Sequence, residues 1–133
     1  MNAQKAIYNI LSNATGVTDI VGTKIFPVLV PQGTTFPAIC YTQLQTDFKN
    51  TKDSNSRLDF TRIQIDSLAL TYQQALAISS AVRSALNIVT AGTYNGVKVS
   101  SVFIEDEVHF FDNVADFDGV YQVSQDFTIS YGI

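Results

Sequence analysis

A single histidine, a single cysteine and one run of carboxylates are the groups in this chain whose types suit catalysis or metal binding. His109 lies in V-H-F-F, which reads as the end of a strand. A Ser-His-Asp or Cys-His arrangement would have to use it, and a lone histidine in such a setting reads as structural or merely exposed. Cys40, inside a predicted strand, reads as a small buried hydrophobe. Of the twelve acidic residues, Glu105, Asp106, Glu107, Asp112, Asp116 and Asp118 fall in one segment, interleaved with Phe103, Phe110, Phe111 and Phe117. Oxygen-rich clusters hold Ca²⁺ or Mg²⁺, yet Asp116-x-Asp118-Gly119 has no glutamate at the distance a calcium loop requires. Two readings of the acidic run stay open: a solvated loop joining two strands, or a contact surface.

The complement to that surface would be a second polar segment holding Lys49, Lys52 and Arg57 beside Asp47 and Asp53. Opposite charges on two different surfaces of one subunit suit a head-to-tail contact, which closes into a ring where the rotation allows. Complementary charge would then set register and exclude wrong pairings. The candidate subunit-interface or lumen residues are therefore Asp47, Lys49, Lys52, Arg57, Glu105, Asp106, Glu107, Asp112, Asp116 and Asp118. With no Gly-rich phosphate loop, no Cys-x-x-Cys and no metal-ligand pair at i, i+4 on a predicted helix, the chain is expected not to be an enzyme and to need no cofactor or metal. The alternative from that class is a small hydrolase or metal-dependent enzyme using His109 with the acids between Glu105 and Asp118. Metal-dependent turnover abolished in His109→Ala would support it.

The elements that must position these groups follow from the rest of the 133 residues, which are expected to form one domain over 1–133. Apolar residues make up 46% and charged residues 15%, which excludes a disordered chain and leaves neutral surface for partners. The net charge of −4 argues against nucleic-acid binding as the main task, because phosphate neutralisation needs a concentrated basic face. One cysteine permits no intramolecular disulfide, and a reducing compartment during synthesis fits. The opening M-N-A-Q-K-A-I-Y lacks the apolar core of a signal peptide, and no apolar run approaches the ~18 residues needed to span a bilayer, so no membrane association is expected.

A first helix, capped by Asn2, carries Ala3, Ala6, Ile7, Ile10 and Leu11 on one face. A helical turn over 17–21 follows, with Gly22 placed for a left-handed C′ conformation. Strands are predicted over 25–30, 38–45, 57–70, 97–105 and 121–131. The 57–70 strand changes phase between Phe60 and Ile63, which predicts a bulge or apolar cover on both faces. The 121–131 strand alternates cleanly, with Gln125 as the one polar member of its inner set. Thr71-Tyr72-Gln73-Gln74 has the form of a capping box, and Tyr72, Ala75, Leu76, Ser79, Val82, Ala85, Leu86 and Val89 make a helical stripe behind it. Asn95-Gly96 marks a tight turn. Segments near 46–57 and 106–119 are expected as mobile loops, the first because it has almost no apolar anchors to offset its ordering entropy, the second as an acidic connection between strands. The predicted class is α+β: a mixed or mainly antiparallel sheet, with one long amphipathic helix and an N-terminal helix packed on one face.

Several ordered pieces resemble the small tail-completion, or tail terminator, proteins of long-tailed bacteriophages. They are Ile20-Val21-Gly22-Thr23-Lys24-Ile25-Phe26-Pro27 after the first helix, and the proline-flanked turn Pro31-Gln32-Gly33-Thr34-Thr35-Phe36-Pro37 leading to Ile39 and Tyr41. Then come the strand Arg62-Ile63-Gln64-Ile65-Asp66-Ser67-Leu68-Ala69 running into Thr71-Tyr72-Gln73-Gln74-Ala75, and the closing Asp126-Phe127-Thr128-Ile129-Ser130-Tyr131. Ala38 departs from the pattern, standing where an aromatic often follows the second proline. The resemblance implies a structural virion protein of the tail or neck, made in the host cytoplasm. It would form a homo-oligomeric ring, usually a hexamer, that caps the tail tube, ends its polymerisation and presents the head-attachment surface. Implied partners are other copies of itself, the tail tube protein and the head connector protein, with at most transient, nonspecific DNA contact in the lumen. Alternatives are a head-side connector adaptor, a minor tail protein of the neck, or a binding module that stays monomeric.

Overall fold

The computed structural model describes residues 3–28, 30–31, 33–50, 55–87, 92–94, 96–112 and 120–132, of which 47–50, 55–59, 112 and 132 by backbone only. Helix α1 (Ala3–Ser12) buries Ala3, Ala6, Ile7, Ile10 and Leu11, the face its spacing predicts; Asn2 lies outside the described residues. Helix α2 (Thr15–Val21) buries Val17 and Val21. It ends at Gly22, whose N–H donates to the Thr18 carbonyl at 2.8 Å. The φ of 62° agrees with expectation, but the ψ of −123° lies far from the left-handed helical well, in a region that a Cβ would make costly.

Strand β1 (Ile25–Pro27) is shorter than the predicted 25–30 and pairs in parallel with the start of β2 (Ala38–Asn50). Pairing stops because Val28 turns to a φ of 66°, its N–H still donating to the Tyr41 carbonyl at 2.8 Å. Strands β3 (Asn55–Ala69), β4 (Gly92–Tyr94), β5 (Val97–Asp112) and β6 (Val120–Gly132) complete one six-stranded sheet in the order β1-β2-β3-β6-β5-β4. Every pairing except β1–β2 is antiparallel. Helix α3 (Tyr72–Asn87) enters between β3 and β4 in the chain, its Gln74 N–H donating to Thr71 Oγ1 at 3.2 Å, the threonine half of the predicted capping box. The fold is α+β.

The core lies between the sheet and the helices. Along β3 and β6 every second residue (Ile63, Ile65, Ala69; Val123, Phe127, Ile129, Tyr131) joins the buried apolar cluster with α1, α2 and α3. On α3 the buried set is Ala75, Ile78, Ser79, Val82 and Leu86. Tyr72, expected in that stripe, is 44% exposed, and Ile78 takes a core place that the predicted stripe omitted.

Three expectations are corrected. The phase change in β3 is no bulge, for its ladder with β6 runs unbroken from Leu58↔Gly132 to Ala69↔Tyr121. Phe60 and Leu68 simply sit on the face away from the core, while bulges fall instead at Leu44 and Phe48–Asn50 in β2 and at Ser100 and Glu105 in β5. The segment expected as a loop near 46–57 is largely hairpin, with β2 running to Asn50 and β3 opening at Asn55. Likewise residues 106–112 continue β5 opposite Val120–Asp126. Ladder hydrogen bonds satisfy these polar stretches without the apolar burial that composition alone weighs. Residues 51–54 and 113–119 lie outside those described.

Candidate interaction surface

The far half of β5 carries the chain's one histidine and four of its acids, and two networks tie that half to the fold. On the helix side, His109 Nε2 lies 2.9 Å from Glu107 Oε2, and His109 Nδ1 lies 2.8 Å from the Tyr72 hydroxyl at the start of α3. Because a carboxylate only accepts, Nε2 carries the proton. Nδ1 then accepts from the tyrosine when the ring is neutral and donates to it when the ring is charged. Glu107 Oε1 accepts from Gln125 Nε2 at 3.0 Å, and that same amide donates to the Ser79 carbonyl at 3.2 Å. Two acceptors fix the amide's orientation, leaving Gln125 Oε1 buried with no partner among the described residues. The hydrogen bond from His109 holds the Glu107 carboxyl below its ordinary range, against a smaller opposing effect of burial; Gln125, the His109 charge and Arg83 add to the lowering. This row is a polar latch between β5, β6 and α3.

The opposite face of the sheet carries a different set. Among the described residues no helix covers it. Arg62 and Asp126 form an ion pair at 2.8 Å, and Asp66 accepts from Ser124 Oγ at 2.6 Å and Gln64 Nε2 at 2.9 Å. Asp106 stands directly opposite Asp126 in the ladder, a like-charged pair that the neighbouring Arg62 offsets. Phe103, Val108 and Phe110 project from the same face of β5 at 60%, 42% and 52% exposure, and the last two help line a shallow depression with Gln64, Asp106, Ser124 and Asp126. Phe111, on the helix side, is also exposed and packs on Tyr121 with ring centroids 4.6 Å apart. Cys40 is buried beside Asp66 in the β2–β3 ladder, and burial pushes its thiol up in pKa, with Asp66 adding to the shift; it is a packing residue.

Both ends of the sheet are thinly capped. β1 pairs only with Ile39–Tyr41 of β2, and β4 only with Val97–Val99 of β5. Beyond those points, 42–50 of β2 and 100–112 of β5 have no partner strand on their outer side among the described residues. The candidate contact residues divide between these edges. Asp47 and Lys49 lie on the β2 edge, and Arg57 follows on the adjoining β3. Glu105, Asp106, Glu107 and Asp112 lie on the β5 edge. Lys52, Asp116 and Asp118 fall outside the described residues. Of the ten candidates the fold brings Glu107 into the His109 latch; the charged runs themselves are held apart, with β3 and β6 between them.

Among the described residues no three His, Cys, Asp or Glu side chains converge as metal ligands, and no helix is long and apolar enough to cross a membrane. Sequence reasoning missed Arg62, Asp66, Asp126 and the exposed Phe103–Phe110 row. Their signal was present: Arg62, Gln64 and Asp66 alternate with Ile63 and Ile65, and Phe103 falls between the core residues Val102 and Ile104.

Comparison with known proteins matches a family and a solved structure. The profile of the family described as tail completion protein gp17 matches residues 5–132. Among solved structures, a chain in the virion of a native gene transfer agent particle is similar at a TM-score of 0.72 and 17% identity, covering 98% of this chain and 95% of that chain. A search of curated proteins gave no match.

Proposed function

Since the chain belongs to the tail completion protein gp17 family, a structural component of the phage tail, we propose that it caps the tail tube as a homo-oligomeric ring, ends tube polymerisation and forms the surface to which the head attaches. The observation that carries this reading is the family match over nearly the whole chain. The surface is consistent with it. The sheet offers two open edges, a helix-free face and exposed aromatics, all of which suit protein contacts, whereas the one histidine is held in a polar latch. In this reading the ring is a hexamer, its partners are the tail tube protein below and the head connector protein above, and its place is the tail or neck of the virion after assembly in the host cytoplasm. DNA passing through the lumen would meet a chain of net charge −4, so contact there is weak and nonspecific.

The test is electron microscopy of growing tail tubes with and without the purified chain. The expected result is a ring at one tube end and arrest of growth there. Tubes that elongate unchanged, with no density added at either end, would remove the capping role.

A further inference from the structure

The two open strand edges are the feature the fold leaves without a structural purpose. From 100 to 112, β5 presents thirteen residues of backbone with no ladder on the outer side among the described residues. Such an edge is a template for another strand, and soluble proteins normally blunt it with charge or bulges. Here it is blunted twice by bulges and by four acids, Glu105, Asp106, Glu107 and Asp112, with no lysine or arginine among those residues. Yet it also exposes Phe103, Val108, Phe110 and Phe111. At the other end of the sheet, 42–50 of β2 is open too. It exposes Leu44 at 48% and leads into the segment through Arg57 with three bases against two acids.

We propose that adjacent copies of this chain join by strand addition, the β5 edge of one subunit pairing antiparallel with the β2 edge of the next, so that the sheet continues from subunit to subunit. This rests on the ring reading and names the surfaces that close it. Strand direction fits: β2 and β5 are antiparallel within the sheet, so a neighbour related by rotation presents β2 antiparallel to β5. Charge selects the same pairing. Two β5 edges face to face would set four acids against four acids, and like charges across a ladder are unfavourable. The acidic edge meeting the more basic one is not opposed in this way. The contact uses two different surfaces of each copy, so it propagates and closes by rotation rather than ending at a dimer. It also brings the exposed aromatic row of β5 alongside the β2 edge, whose half-exposed Leu44 then has apolar company across the strands.

Complementation tests this without assuming a register. One variant, Phe103→Asp with Phe110→Asp, spoils the β5 edge; a second, Leu44→Asp, spoils the β2 edge. All three side chains are about half exposed or more, so circular dichroism should be unchanged. Each variant alone is expected to need at least about tenfold more protein for half-assembly than the wild type, read by sedimentation and on tube ends. Mixed in equal amounts they should give dimers through their one intact interface, and no rings. Rings from both variants at wild-type concentration would overturn edge pairing while leaving the capping ring in place. Dimers from the Leu44→Asp variant alone would overturn it in favour of β5–β5 pairing. A wild-type chain that forms no ring either alone or on tubes would overturn both the pairing and the proposed function.

Discussion

Two backbone positions and one core side chain account for much of what single residues do here. Gly22 holds a φ of 62° with nothing within 4 Å of where a Cβ would stand, so the cost of Gly22→Ala is conformational alone. It is expected to destabilise by about 1–3 kcal/mol, read as a lowered urea midpoint at constant slope. Val28 is the mirror case: a β-branched residue at a φ of 66°, 66% exposed and outside the core. Val28→Gly keeps the N–H bond to Tyr41 and removes strain of about 1–3 kcal/mol against an entropic cost of about 0.5–1 kcal/mol, so a raised melting temperature is expected. Phe127 is fully buried and lies between Ile63 and Ile104 in the ladders. Phe127→Ala is expected to cost about 3–5 kcal/mol by chemical denaturation. Gly22 was legible in the sequence, because a helix end followed by glycine is a local signal. Val28 was not, since nothing in I-F-P-V announces a positive φ.

At the scale of elements, legibility followed how one-sided each element is. Helix α1 and strand β6 each bury one face, so their periodicities survive in the sequence, and even the polar intruder Gln125 stands out. The far halves of β2 and β5 are partnered on one side only, and the residues of β5 from Glu105 to Phe111 are exposed on both faces. No alternation marks them, and composition alone read them as loops. The His109 latch was hidden too: V-H-F-F reads as a strand end, but Glu107 fell in the stretch expected as a loop, and the two share a face only when one strand runs through both. The latch has a testable sign. Glu107 has a folded pKa below its unfolded value of about 4.3, so its contribution is complete above that value and is lost as pH falls through the folded pKa. The stability gap between wild type and Glu107→Gln is therefore expected to close as pH falls from about 5.5 through the folded pKa. Denaturant midpoints measured across that range would show it, and a gap that widens in acid would contradict the latch.

For the whole molecule, the decisive fact is that one sheet keeps its acidic and its more basic segments on opposite sides. In the sequence these were two polar runs with no stated geometry; the strand order β1-β2-β3-β6-β5-β4 converts them into two ends of one surface. Reversing Lys49, Lys52 and Arg57 together to glutamate should then impair assembly, with circular dichroism checking that the chain stays folded. Net charge alone would also raise repulsion between copies, so the comparison must hold it fixed. Reversing Lys5, Lys24 and Lys98 gives the same net charge with the β2–β3 hairpin intact. The hairpin variant is expected to lose rings that the control retains, at equal helix and strand content. Salt supplies the second arm: raising ionic strength from about 50 mM to about 500 mM shortens the screening length several-fold. It should weaken wild-type assembly and strengthen what remains in the hairpin variant, where the edges now repel. Equal loss in both reversed chains would mean that total charge, and not its place on the sheet, governs association.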